Sequence, residues 1–215
     1  MKQNPFQALT TQEWIGVVVW PTAAATAFAS SAHIQFLGPT GSGKTSLLLA
    51  CHALATADPS RRVALEYLAE GESRRRTELA GLDMFLLDEA QRLNGLERWR
   101  WLAAASRQPI RAIFTSHRDF TSLFRLYHLP LITIRLDEPT PAHMQAMLER
   151  RLAYFNDSTC FTSTALIWLW QQFAPRWRDM EFFLYEVWQR WGDKSTIGVE
   201  ELNETGHFLN PEKQT

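Results

Sequence analysis

Residues 38 to 45 read Gly38-Pro39-Thr40-Gly41-Ser42-Gly43-Lys44-Thr45, which satisfies the pattern GxxxxGK[ST]. Gly38, Gly41 and Gly43 let a backbone wrap around phosphates with its N–H groups turned inward, at the positive end of the helix that follows. Lys44 is placed to reach the β and γ phosphates of a nucleoside triphosphate, and the Thr45 hydroxyl to ligate magnesium. Ser46 completes the expected nucleotide-binding set with Pro39, Thr40 and Ser42. The chain has only four lysines, Lys2, Lys44, Lys194 and Lys213, its other cations being arginines, so Lys44 stands out.

A second acidic element follows the short apolar run Met84 to Leu87, which ends in Asp88-Glu89. Next to a phosphate loop, the first carboxylate is suited to the magnesium shell and the second to orienting and polarising an attacking water. Taken alone, the pair also reads as the cap of the following helix. None of the four lysines is followed two residues later by Asp, so the guanine-reading [NT]KxD motif is absent and the nucleotide expected is ATP.

These residues need elements to position them. HIQFL (33 to 37) has strand character and ends at the glycine-rich turn, and Thr45 to Ala57 then follows a helical pattern. Val63 to Leu68, Met84 to Leu87, Ile110 to Phe114 and Leu131 to Leu136 are further strand candidates; Glu97 to Ser106 reads as a helix, and EGESRRRTELAG as a polar segment with room for one short helix. Strands alternating with helical patterns predict an α/β fold, a three-layer P-loop NTPase core with a parallel sheet. Beyond Pro139-Thr140-Pro141 the periodicity is helical only: Met144, Met147, Leu148, Leu152 and Phe155 keep one face, and Trp177, Met180, Leu184, Val187, Trp188 and Trp191 another. The expected organisation is an N-terminal arm and helix (1–32), the irregular arm containing a brief extended piece at Val17 to Trp20, then the ATPase core (33–138), an all-helical lid (139–204) and a frayed tail (205–215).

With 46% hydrophobic residues the 215-residue chain can bury a substantial core. A net charge of −1 excludes nucleic-acid binding through overall basicity, leaving only local patches. Cys51 and Cys160 lack any ligand spacing, which excludes a disulfide scaffold and a zinc site and fits a reducing cytoplasm. Trp14 to Ala32 is apolar, but Pro21 and the absence of a basic run before it argue against a membrane span or signal peptide.

The order of phosphate loop, strand, acidic strand, strand ending in a polar residue, strand and then helices resembles the AAA+ ATPases over roughly residues 30 to 203. FLLDEAQRL (85 to 93) and AIFTSHRDFTSL (112 to 123) look like the bacterial replication-initiator, helicase-loader and transposition-helper branch. The resemblance implies three roles. Arg178 resembles the lid arginine called sensor 2, with Arg176 as the alternative; Thr115 or Ser116 resembles sensor 1, which helps place the hydrolytic water; and Arg125 sits where the family keeps an arginine finger for a neighbouring subunit. Each has a bland alternative: Arg178 as a surface residue packed on Trp177, Thr115 and Ser116 as caps, Arg125 as a solvated cation.

Arg74-Arg75-Arg76 and Arg98-Trp99-Arg100-Trp101 mix cations with aromatics. They read first as solvated surface and packed core, and second as a grip on nucleic acid. Trp168, Trp170, Trp188 and Trp191 exceed the needs of a small lid and suggest a partner interface. The function expected is an ATP-driven switch: a homo-oligomer that assembles with ATP and magnesium, releases on hydrolysis, and works with a protein partner in transposition, replication loading or phage defence. The competing expectation is an ATP-binding regulatory or scaffolding subunit with little turnover. A small-molecule phosphotransferase is a third reading, against which the acidic pair counts.

Overall fold

The apolar strand runs set the architecture. The computed structural model describes residues 3–136, 140–174 and 176–209. Five parallel strands form one sheet: β1 (His33–Leu37), β2 (Val63–Tyr67), β3 (Met84–Asp88), β4 (Arg111–Ser116) and β5 (Leu131–Arg135), in the order β2-β3-β4-β1-β5. Strands covered on both faces lose the polar alternation of a half-exposed sheet, and β1 and β3 are buried at every position. The helices are α1 (Thr11–Val17), α2 (Thr22–Ala29), α3 (Lys44–Thr56), α4 (Gly95–Ala105), α5 (Thr121–Leu126), α6 (Pro141–Tyr154), α7 (Ser163–Phe173), α8 (Trp177–Trp191) and α9 (Val199–Leu209).

By their contacts the residues divide into two compact units, Trp20–Asp137, and Met1–Val19 together with Glu138–Thr215. In the sheet unit, α3 packs on β1, β3 and β4. Trp101 of α4 is buried against Phe114 of β4 and Phe124 of α5, with ring centroids 5.1 and 5.8 Å away. Because the strands are parallel, their carboxyl ends share one edge, where ligands of open α/β sheets bind. Leu37 pairs with Ser116 and Leu87 with Phe114. That register brings the phosphate loop, Asp88 and Thr115 to the same edge.

In the other unit, Met144, Leu148 and Leu152 of α6 pack with Leu169 of α7, Leu184, Val187 and Trp188 of α8 and Leu202 of α9. Phe6 of the arm is buried in the same core, 4.8 Å from the Trp188 ring.

The described elements differ from the expected ones at several points. The arm of residues 1–32 is divided, residues to Val19 going with the C-terminal helices and α2 with the sheet. The arm is not merely irregular and extended: Thr10 and Glu13 form a reciprocal capping box that starts α1, which runs to Val17. The C-terminal part is helical as expected, with one short addition, the parallel pair of β6 (Cys160–Phe161) and β7 (Thr196–Ile197). The tail does not begin at Thr205, which is buried inside α9 and whose hydroxyl donates to the Glu201 carbonyl at 2.8 Å; residues 210–215 lie outside the described residues. The segment between β2 and β3 contains turns and no helix. Buried Glu66 accepts there from the backbone N–H groups of Arg76 and Thr77 at 2.7 and 3.0 Å, fixing the loop without one. Among the described residues no helix is long and apolar enough to cross a membrane.

Candidate active site

The loop from Gly38 to Gly43 joins β1 to α3. Gly41 and Gly43 have φ of 81° and 88°, in the left-handed region where a side chain is strained. At Gly38 the requirement is space: a Cβ would stand 2.7 Å from Ser42 Oγ and 3.2 Å from the Leu136 carbonyl carbon. Ser42 is buried, and its hydroxyl has no hydrogen-bond partner among the described residues. Pro39 and Thr40 are exposed at the loop tip, and Ser46 is half-buried in the first turn of α3.

Lys44 is only 5% exposed, and its Nζ donates to the carbonyls of Gly38 and Pro39 at 2.9 and 2.7 Å. Burial holds its pKa below the usual lysine value, with the charges of Glu89 and Asp88 opposing that shift. The ammonium thus sits inside the loop, anchored on its backbone.

From Thr45 a hydrogen-bonded chain runs across three elements. Thr45 Oγ1 donates to Asp88 Oδ2 at 2.9 Å, Thr115 Oγ1 donates to Asp88 Oδ1, and the Glu89 backbone N–H donates to Thr115 Oγ1 at 2.9 Å. Asp88 and Thr115 are both buried. The capping alternative fails for both. The Asp88 carboxylate faces Thr45 and Thr115, and Glu89 makes no capping bond to the 3-10 turn Ala90–Arg92. Ser116 instead accepts from the Arg118 N–H at 2.9 Å, so it shapes the turn after β4 while Thr115 faces the acids.

Glu89 has φ 62°, a left-handed conformation uncommon for a residue with a side chain. Its carboxylate accepts from Gln91 Nε2 at 2.7 Å, with Arg92 Nη2 at 3.5 Å and His117 Nε2 at 3.6 Å. Gln91 Oε1 also accepts from the His117 N–H at 3.3 Å. Sequence reasoning missed Gln91, Arg92 and His117, although DEAQR and TSHRD contain them beside the residues it chose.

The arginines separate by surroundings. Arg176 donates to Asp179 Oδ2 at 3.2 Å and to the Gln172 carbonyl at 3.0 Å, whereas Arg178 is exposed in the first turn of α8 with Glu181 in its field. Arg125 is exposed on α5 with no ion pair among the described residues, and is not part of the cluster around Asp88. Arg75 and Arg100 face Glu97 at 3.7 and 2.9 Å, and Arg76 faces Glu66 and Glu72 at 3.9 and 3.4 Å, so acids offset much of that basic cluster. Trp101 is core and Trp99 is 52% exposed. Of the C-terminal tryptophans Trp188 is buried, and Trp168, Trp170 and Trp191 are half-buried against the same core. Trp188 Nε1 donates to Asp157 at 3.0 Å, Trp191 Nε1 to Thr205 at 3.3 Å, and Trp168 lies 5.6 Å from the Phe183 ring.

The residues fit a magnesium nucleotide. The unpartnered Ser42 hydroxyl and the left-handed glycines frame a polar loop at a helix N-terminus, suited to phosphate. Among the described residues no group of three or more His, Cys, Asp or Glu could hold a metal. One carboxylate and one hydroxyl, Asp88 and Thr45, suit a hard cation whose other ligands are water and phosphate oxygens.

No protein-family model and no curated protein matches the sequence. Solved structures do match. The Thermotoga maritima RuvB Holliday junction branch migration motor is 16% identical, with TM-score 0.61 over 93% of this chain and 68% of that one. Domain III of the Thermotoga maritima replication initiation protein DnaA is 14% identical, with TM-score 0.61 over 93% of this chain and 97% of the domain. AMPPCP-bound DnaA from Aquifex aeolicus is 16% identical, with TM-score 0.61 over 90% of this chain and 68% of that one. Of another Thermotoga maritima RuvB structure this chain covers 66%, so it spans about two thirds of the RuvB length. The likeness is one of architecture, and by it this chain has the fold of the AAA+ P-loop ATPases that RuvB and DnaA share.

Proposed function

We propose that this protein binds ATP with magnesium at Gly38 to Ser46, hydrolyses it to ADP and phosphate, and works as a nucleotide-dependent assembly switch in a multi-protein, DNA-related system. The observation that carries this reading is the unbroken chain Thr45–Asp88–Thr115–Glu89, which ties the phosphate loop to the Asp88 carboxylate and to the backbone N–H of Glu89. A structural ion pair would need none of this order. The fold supports it too, since matching DnaA structures hold AMPPCP, one of them with single-stranded DNA.

In this reading the loop N–H groups and Lys44 bind the phosphates, and Thr45 and Asp88 hold magnesium. Magnesium, when bound, neutralises charge developing on the phosphate oxygens. Glu89 accepts a proton from water as the water oxygen bonds to the γ phosphorus; the bond from that phosphorus to the β–γ bridging oxygen breaks, and ADP leaves. Thr115 keeps Glu89 and Asp88 in register. Arg178 is the proposed lid arginine, supported by the local engagement of Arg176, and exposed Arg125 is the proposed finger toward a second copy.

The test is phosphate release from ATP by the purified protein, alone and with double-stranded DNA, beside Lys44→Ala and Glu89→Gln, with particle size followed in the same samples. Turnover should fall at least on the order of 10²-fold in both variants. Glu89→Gln should retain ATP and stay assembled, whereas Lys44→Ala should lose ATP. Tight ATP binding by the wild type without turnover or assembly would replace this reading with the scaffolding subunit.

A further inference from the structure

Resting on that reading of Glu89, we infer that Gln91 is a positioning residue for the Glu89 carboxylate. Three side chains converge on that carboxylate from two segments, Gln91 and Arg92 from the 3-10 turn and His117 from the end of β4. Their distances are not equal. Gln91 Nε2 stands at 2.7 Å, an ordinary hydrogen bond, whereas Arg92 at 3.5 Å and His117 at 3.6 Å are beyond good hydrogen-bond range. Arg92 places its short bond elsewhere, on the Leu68 carbonyl at 2.6 Å.

The other end of the Gln91 amide is also engaged, accepting from the His117 backbone N–H at 3.3 Å. It therefore bridges the Glu89 side chain to the segment following Thr115, while the Glu89 backbone N–H is held by Thr115 itself. Backbone and carboxylate are both referred to β4. The left-handed turn at Glu89 brings residues 89 and 91 together, because the chain reverses into the 3-10 turn immediately after β3.

The chemistry favours an amide for this task. A general base has to be fixed in direction yet keep its affinity for a proton. An ion pair at hydrogen-bond distance would fix the carboxylate but stabilise its charged form and weaken it as a base. A neutral amide fixes direction through both of its ends, donating to Glu89 and accepting from the His117 N–H, while the arginine stands off.

The experiment compares steady-state phosphate release and AMPPCP affinity for wild type, Gln91→Met, Gln91→Lys, Glu89→Gln and the double variant Glu89→Gln with Gln91→Met, each checked by thermal melting. Gln91→Met keeps the length and loses the donor and acceptor; kcat should fall on the order of tenfold, with AMPPCP affinity and melting temperature essentially unchanged. Gln91→Lys keeps a donor to Glu89 but loses the acceptor for the His117 N–H, and its kcat should also fall with AMPPCP affinity essentially unchanged. In the Glu89→Gln background Gln91→Met should change nothing further, because its effect passes through Glu89. Wild-type turnover with undiminished kcat in Gln91→Met overturns the inference alone. So does an equal loss with and without Glu89. A wild type that releases no phosphate, with or without DNA, overturns the inference together with the hydrolytic reading.

Discussion

Thr115 uses one hydroxyl twice, donating to Asp88 and accepting from the Glu89 N–H. Thr115→Val keeps the β-branched shape that suits β4 and removes both bonds. Turnover should fall on the order of 10²-fold while ATP affinity changes by only a few-fold, because the phosphate loop is untouched. The partly buried Glu89 N–H left without its acceptor should cost about 1 kcal/mol of stability. Phosphate release, nucleotide titration and urea unfolding on one preparation read all three; unchanged turnover would remove Thr115 from the mechanism. Thr115 was reached from sequence, with Ser116 as its alternative, through the resemblance of the strand ending in Thr115-Ser116 to a family motif. Gln91 and His117 were not: nothing in DEAQR says that Glu89 turns left-handed, and without that turn the Gln91 amide has no reason to meet residue 117.

At the scale of elements, β1 and β4 are joined by a side chain as well as by their ladder. His33 Nδ1 accepts from the Ala112 N–H at 2.9 Å, and the ring lies 5.4 Å from that of Phe124. Burial, assisted by the Arg111 charge, pushes the His33 pKa down from 6.5 to about 4. The fold therefore holds the neutral imidazole, while the unfolded chain protonates near 6.5. This contribution is complete above pH 6.5 and is lost progressively as pH falls towards 4, to a total of about 3 kcal/mol. Urea unfolding of wild type and His33→Gln across that range checks it: the variant keeps an acceptor for Ala112 and should show a shallower acid loss, and parallel curves would dismiss the histidine. Elements whose sequence carries one dominant signal, such as HIQFL, MFLLD and the glycine-rich loop, were legible. α1 rests on a capping box of two polar side chains, β6 and β7 are too short to show a period, and the segment after β2 is shaped by buried Glu66 rather than by its own pattern.

For the molecule as a whole, chain order and spatial order differ. The arm begins more than a hundred residues before α6, yet Arg151 of α6 donates to the Pro5 carbonyl at 2.6 Å and the Gln7 carbonyl at 3.0 Å, and pairs with Glu181 of α8. Its guanidinium also lies over the Phe6 and Trp14 rings at 5.3 and 5.8 Å. No local pattern announces a partner so far away. With the Arg151 side chain only 6% exposed, Arg151→Met would leave a largely buried carboxylate and two carbonyls without their donor. The expected cost is about 3 kcal/mol. Adding Glu181→Leu should recover part of it, since the stranded charge goes with the second substitution. Hydrogen exchange should lose protection in α1, α6 and α8 together, because one side chain ties them. Loss confined to α1, with α6 and α8 unchanged, would mean that the arm merely rests on the C-terminal helices and is not part of their core.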